Sequence, residues 1–151
     1  MVTIRESRIT DVYALHSKLR SADLKEIRAC SQESPLVALR RCYKSSELCW
    51  TVCLKGEVIG MFGAVSGGLI STKGVPWFLG SDKVMAERRS WVKNSKKYLS
   101  IMLKEYTVLT NYVSADNRAS KIWLKWMGFT LYDAEPFGFY KELFNRFEIR
   151  R

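Results

Sequence analysis

The sequence predicts an α/β fold, and three observations carry that reading. Short runs rich in β-branched and aromatic residues alternate with segments whose apolar residues recur at helical spacing. Their inferred order is strand, two or three helices, three strands, helix, strand, helix, two strands. One stretch, Thr107–Phe129, compresses the pattern into a strand, a polar loop, a helix and a glycine stop.

Val2–Arg5 is the first strand candidate. Thr10-Asp11 opens a helix through about Arg20, with Val12, Leu15, His16 and Leu19 along one side. Ser21-Ala22-Asp23 reads as the cap of a second helix over Leu24–Cys30. Pro35, favoured in a first turn, begins a third piece over Leu36–Tyr43. Leu48–Leu54 and Val58–Val65 flank Lys55-Gly56-Glu57, a hairpin signal. Gly60 and Gly63 mark bends or close backbone approach in its second strand. Gly67-Gly68 begins a loop through Gly74. Val75–Leu79 is the next strand, although Pro76 cannot donate to a ladder.

A long helix follows within about Ala86–Tyr106. Trp91, Ser95, Tyr98, Leu99, Met102, Leu103 and Tyr106 form its inward face; Lys93, Lys96, Lys97 and Lys104 form its outward one. Thr107–Val113 is β-rich. Ala119, Ile122, Trp123, Trp126 and Met127 then define the apolar stripe of a helix that Gly128 ends. Phe129–Ala134 and Leu143–Ile149 read as the last strands, joined by a loop containing Pro136 and Gly138.

The chain has 151 residues, of which 47% are hydrophobic and 13% aromatic, so it reads as one globular domain over 1–151. No apolar run approaches a membrane span. MVTIRESRITD lacks the apolar stretch of a secretory signal, which points to the cytoplasm. The four cysteines, Cys30, Cys42, Cys49 and Cys53, contain no CxxC pair, and His16 is the only histidine. Buried free thiols are expected rather than a zinc site, and His16 reads as a helix-flank residue. The net charge is +10. It suits a solvated basic surface or an anionic partner: a phosphate-bearing cofactor, nucleic acid or an acidic protein.

Asn117, the small residues Ala119 and Ser120, and Gly128-Phe129 resemble the N-x-x-A…G-F signature of GNAT (GCN5-related) N-acetyltransferases. The element order resembles that family over essentially the whole chain. It implies a mixed, mostly antiparallel sheet with helices on both faces. It also implies acetyl-CoA as cofactor and an amine, on a small molecule or a protein, as acceptor. Trp77-Phe78-Leu79-Gly80, Leu109–Val113 and Trp123–Trp126 are similar to small GNAT-like proteins of tailed phages. That likeness adds the host cytoplasm and the virion as places of action.

The resemblance implies a pyrophosphate cradle between Leu79 and the long helix, where free N–H groups and the helix dipole favour anions. The family pattern Q/R-x-x-G-x-G/A is missing there. Gly80 is the only glycine, and Arg88 and Arg89 are the side-chain substitutes, or an ordinary basic helix start. The thiolate acid, usually a tyrosine seven residues past the motif asparagine, falls on Leu124, which cannot donate a proton. Tyr112, Tyr132 and Tyr140 are stand-ins. The base candidates are Asp116, Glu87 and Asp82, with helix capping as the plainer role of Asp116. Asn117 is either a pantetheine contact or a helix cap, and Asn111, Ser114 and Ser120 offer further polar contacts. Trp77 and Trp123 are expected near the cleft. Two functions compete: an acetyl-CoA-dependent N-acetyltransferase-like protein, and a catalytically degenerate GNAT-fold binding or virion component.

Overall fold

A computed structural model of the chain describes residues 1–68 and 72–151. In order it contains β1 (Val2–Glu6), α1 (Ile9–Leu15), α2 (Ser21–Cys30), α3 (Pro35–Ser45), β2 (Ser46–Leu54), β3 (Glu57–Ser66) and β4 (Lys73–Gly80). Then come α4 (Asp82–Ala86), α5 (Arg88–Glu105), β5 (Val108–Ser114), α6 (Arg118–Met127), β6 (Thr130–Phe137) and β7 (Glu142–Arg150). The strands form one seven-stranded sheet, ordered β1-β2-β3-β4-β5-β7-β6. Every pairing is antiparallel except that of β4 with β5.

Local chemistry explains the connections. The β2–β3 turn is two residues long, with Lys55 at φ 50° and Gly56 at φ 83°, the twist that matches flanking strands. Ser34 caps α3 by accepting from the Val37 N–H at 3.2 Å, and Pro35 sits in the first turn. Gly63 stands where an added Cβ would strike the Leu48 carbonyl, beside the register shift between Ser46 and Leu48. Close backbone approach, one of the two sequence expectations, is the reason for that glycine.

The sheet has helices on both faces. On one, α1, α3 and the turn before α2 bury Val12, Leu15, Leu19 and Leu39 against Cys53, Val58 and Met61, with Leu24 and Ile27 of α2 packed beside them. On the other, α5 and α6 bury Trp91, Leu99, Met102 and Leu124 against Val52, Phe62, Leu109 and Val113. A salt-bridged knot ties α1 to the sheet: Arg5 grips Asp11 at 2.8 Å through both oxygens, and Thr51 Oγ1 donates to the same carboxylate at 2.7 Å. Burial pushes the Asp11 carboxyl up, but the donors from Arg5, the Arg8 N–H and Thr51 outweigh it and hold it below the usual range.

β4 and β5 pair only at Lys73↔Val108 and Gly74↔Leu109, then diverge. Pro76 lies just past the last pair. Its carbonyl accepts from Asn111 Nδ2 at 2.7 Å, so its nitrogen also faces the widening gap, where no ladder partner is lost.

The long helix expected within Ala86–Tyr106 is α5, Arg88–Glu105, and a short helix, α4, which the sequence reading did not anticipate, precedes it. Three sequence expectations are corrected. The first helix stops at Leu15 and continues only as a 3₁₀ turn over His16–Lys18. Pro136 is inside β6 and not in a loop, which an edge strand tolerates. The α6 stripe is rotated: Leu124 is buried, while Ile122 and Trp126 are exposed. Trp123 and Met127 of that stripe do face inward, together with Ser120 and Leu124, and these four line the β4–β5 gap. The expected loop over Gly67–Gly74 falls partly on residues 69–71, outside the described residues; from Lys73 the chain is already strand.

Candidate functional site

The divergence of β4 and β5 opens a cavity of about 390 Å³ that reaches α2, α5 and α6. One wall is aromatic. The Phe78 ring lies 5.1 Å from Trp91 and 5.8 Å from Trp123, and Phe62 lies 4.8 Å from Trp91. Trp123 Nε1 donates to Ser95 Oγ at 3.3 Å, and Trp77 Nε1 to Ser46 Oγ at 2.7 Å, so both indoles are fixed by their polar ends.

The polar part of the lining comes from one stripe of α2 and from Arg20 just before it, whose guanidinium lies 5.6 Å from the Phe78 ring centroid. Arg20, Asp23 and Glu26 recur at three-residue spacing, while Leu24 and Ile27 pack toward the core. Asp23, 2% exposed, accepts from Arg20 Nε at 3.0 Å and from the Gly80 N–H at 2.8 Å. Burial pushes its carboxyl up, with Arg20 and the Gly80 N–H opposing. Glu26 Oε1 accepts from Asn117 Nδ2 at 2.9 Å and from the Ser114 N–H at 3.1 Å. Burial raises its carboxyl too, against those two donors. Its Oε2 accepts no hydrogen bond among the described residues.

Of the sequence-predicted site residues, Leu79, Asn117, Ser120 and Leu124 line this cavity together, with Asn111, Tyr112, Trp77 and Trp123. Asn117 has two partners: its Oδ1 caps α6 by accepting from the Ser120 N–H at 3.3 Å, and its amide holds Glu26. Ser114 reaches the site through its backbone. Gly80, Arg88 and Arg89 are not in the lining. Asp116 is exposed and donates its N–H to Ser114 Oγ at 3.4 Å. Tyr132 lies in a separate hollow beside Arg146, whose guanidinium sits 3.9 Å over its ring. Tyr140 is exposed. Sequence reasoning missed Arg20, Asp23 and Glu26; their i, i+3, i+6 spacing along one side of the helix was the available signal.

Acetyl-CoA fits this frame at one end better than at the other. The gap and its aromatic wall suit an extended, mostly apolar arm. At the other end the Gly80 N–H goes to Asp23, the Gly80 carbonyl accepts from the Arg20 N–H at 2.9 Å, and the Ser81 N–H goes to the Ile59 carbonyl at 2.8 Å. An added Cβ at Gly80 would meet Phe78 Cε1 at 2.9 Å and Val84 Cγ2 at 3.0 Å, so the missing side chain makes room for packing, not for a ligand. The first turn of α5 has no side-chain cap and no acidic residue. With Arg88 and Arg89 it presents positive charge and no glycine.

The architecture is that of known acetyltransferases. It superposes on a GNAT-family acetyltransferase from Bacillus anthracis with a TM-score of 0.70 and 11% identity, covering 99% of this chain and 94% of that one. It superposes on the ribosomal-protein-S18-alanine N-acetyltransferase from Escherichia coli with a TM-score of 0.68 and 12% identity, covering 99% and 94%. RimL, a ribosomal L7/L12 alpha-N-protein acetyltransferase solved in complex with coenzyme A, gives 0.69 and 13%, covering 99% and 93%. At such identities the likeness establishes the GNAT fold. No curated protein matches the sequence. A family model described as bacteriophage T7, probable scaffold protein Gp13, matches residues 51–135. The chain belongs to that family. The Gp13 match runs from β2 into β6, so it spans both strands of the cleft, α5 and α6. It stops short of the α2 stripe that carries Glu26.

Proposed function

We propose that the protein is an N-acetyltransferase-like protein that receives an amine at Glu26 and an acyl-bearing arm in the β4–β5 cleft. The observation behind this reading is a half-satisfied, partly buried carboxylate on the wall of a preserved cavity. A carboxyl raised by burial is a better proton acceptor than an exposed one, and its free Oε2 is the atom that would take the proton of an incoming ammonium. Asn117 and the Ser114 N–H keep Oε1 engaged and so orient Oε2. Trp91, Trp123 and Phe78 exclude water from the same space. Acetyl-CoA, when bound, supplies the thioester acyl group. Leu124 offers no proton to a departing thiolate, whose conjugate thiol has a pKa of about 8.5 and needs little help.

A second reading has its own support. The consumed polar groups at Gly80 and Ser81, and a family described as a probable scaffold protein, favour a GNAT-fold virion component that binds without transferring. Calorimetric titration with acetyl-CoA and with CoA separates the two. The first reading expects dissociation constants near micromolar, about −8 kcal/mol, weakened at least tenfold when Arg88 and Arg89 are both neutralised. No binding at millimolar cofactor leaves the second.

A further inference from the structure

We propose that the outer face of α5 and α6, turned away from the sheet and the cleft, binds single-stranded nucleic acid. On α5, Trp91, Ser95, Leu99 and Met102 point inward. Lys93, Lys96, Lys97 and Lys104 are exposed on the opposite side. At 1.5 Å per residue they form a row about 17 Å long. On α6, Arg118 and Lys125 are exposed beside Ile122 and Trp126, which are 61% and 48% exposed. α6 contains no acidic residue, and α5 only Glu105 at its end.

The charge on this face is a continuous row. Six basic residues elsewhere, Arg5, Arg20, Arg41, Lys83, Arg146 and Arg150, each pair with a carboxylate, while others, among them Lys25, Arg28 and Lys44, form no ion pair among the described residues but do not line up along one helix face. Among the described residues no ion pair involves a basic residue of α5 or α6. A row of unneutralised cations repels itself, and a polyanion that releases its counterions relieves that repulsion.

Trp126 specifies the kind of polyanion. Lys96 Nζ lies 4.2 Å from its ring centroid, so a cation and a half-exposed aromatic face stand together in the row. That pairing suits a strand whose bases are free to stack while its phosphates follow the lysines. A duplex hides its base faces. An acidic polypeptide would gain nothing from the indole face, and two exposed apolar side chains are too few to anchor a membrane surface.

The test is fluorescence anisotropy of the full chain with a fluorescein-labelled oligothymidylate across a salt series. Binding should weaken with salt at a log–log slope of about −3, four neutralised phosphates at about −0.7 each. Lys93→Glu, Lys96→Glu and Lys97→Glu together should weaken binding at least thirtyfold. Trp126→Ala should weaken it about fivefold or more with the slope unchanged, in line with one lost stack. Lys25→Glu, Arg28→Glu and Lys44→Glu, an equal change of net charge on other elements, should leave affinity within about twofold. Equal loss in both triple variants would reduce the effect to net charge and overturn the proposal. So would the absence of oligothymidylate binding at low salt, an unchanged affinity in Trp126→Ala, or equally tight binding of duplex DNA, polyglutamate or anionic vesicles.

Discussion

The two ends of the cleft have been treated differently by this sequence. At the arm end, β4 and β5 separate after two paired residues and the space between them is open and aromatic. At the phosphate end, the chain turning out of β4 satisfies itself: Asp23 takes the Gly80 N–H, Ile59 takes the Ser81 N–H, and Ser81 Oγ takes the Lys83 N–H at 3.3 Å. An apolar slot survives sequence change easily, because many side chains can line it. A backbone cradle does not survive, because it needs free N–H groups and glycine at fixed positions. The contrast shows how a fold can keep an open cleft while the turn at its end is closed by its own hydrogen bonds.

The largest effect should come from breaking the bonds that close the phosphate end. Asp23→Ala leaves the Gly80 N–H and the Arg20 guanidinium, 13% exposed, without their acceptor. Removing one partner of a buried ion pair costs about 3–5 kcal/mol, so thermal and urea unfolding should both show a large loss. A loss under about 1 kcal/mol would mean that the junction is not held by Asp23. Gly80→Ala should cost about 1–3 kcal/mol on the same assays, since its Cβ must displace Phe78 and Val84. If it costs nothing, the junction has slack, and a ligand could open it.

The arm end was legible in the sequence and the phosphate end only in part. Asn117, Gly128 and the strand over Val108–Ser114 obey local rules. A cap accepts from the N–H three residues on; a left-handed C′ residue, here at φ 108°, favours glycine; β-branched runs extend. The hairpin at Lys55-Gly56 was readable for the same reason. The missing glycines after Leu79 were visible too. What replaced them was not, because Asp23 reaches Gly80 across 57 positions of sequence and Glu26 reaches Asn117 across 91. The α6 stripe held for Trp123 and Met127 and failed for Ala119, Ile122 and Trp126 for a related reason: all five are apolar at helical spacing, but burial was decided by the gap that Trp123 and Leu124 cover.

The smallest expected effect concerns Glu26, and it depends on pH. Burial raises the Glu26 carboxyl in the folded chain above its ordinary value of 4.5. A raised acid stabilises the fold fully below the unfolded pKa, and that contribution is lost as pH rises through the folded pKa. At neutral pH the charged side chain is therefore a cost that the arm end carries. Glu26→Gln removes the charge and keeps an oxygen to accept from the Ser114 N–H and Asn117. Urea unfolding should find the variant more stable than the parent at pH 7, with the difference shrinking toward zero below about pH 4, where both side chains are neutral. Asp11 is lowered, but it is common to parent and variant and cancels in the difference; Asp23 helps to raise the Glu26 carboxyl, so it loses that repulsion in the variant and adds to the gain at pH 7. A pH-independent difference would assign Glu26 to packing. A stabilised variant that also binds amines less well would instead mark Glu26 as a group kept at the expense of stability, as expected of a residue retained for its chemistry.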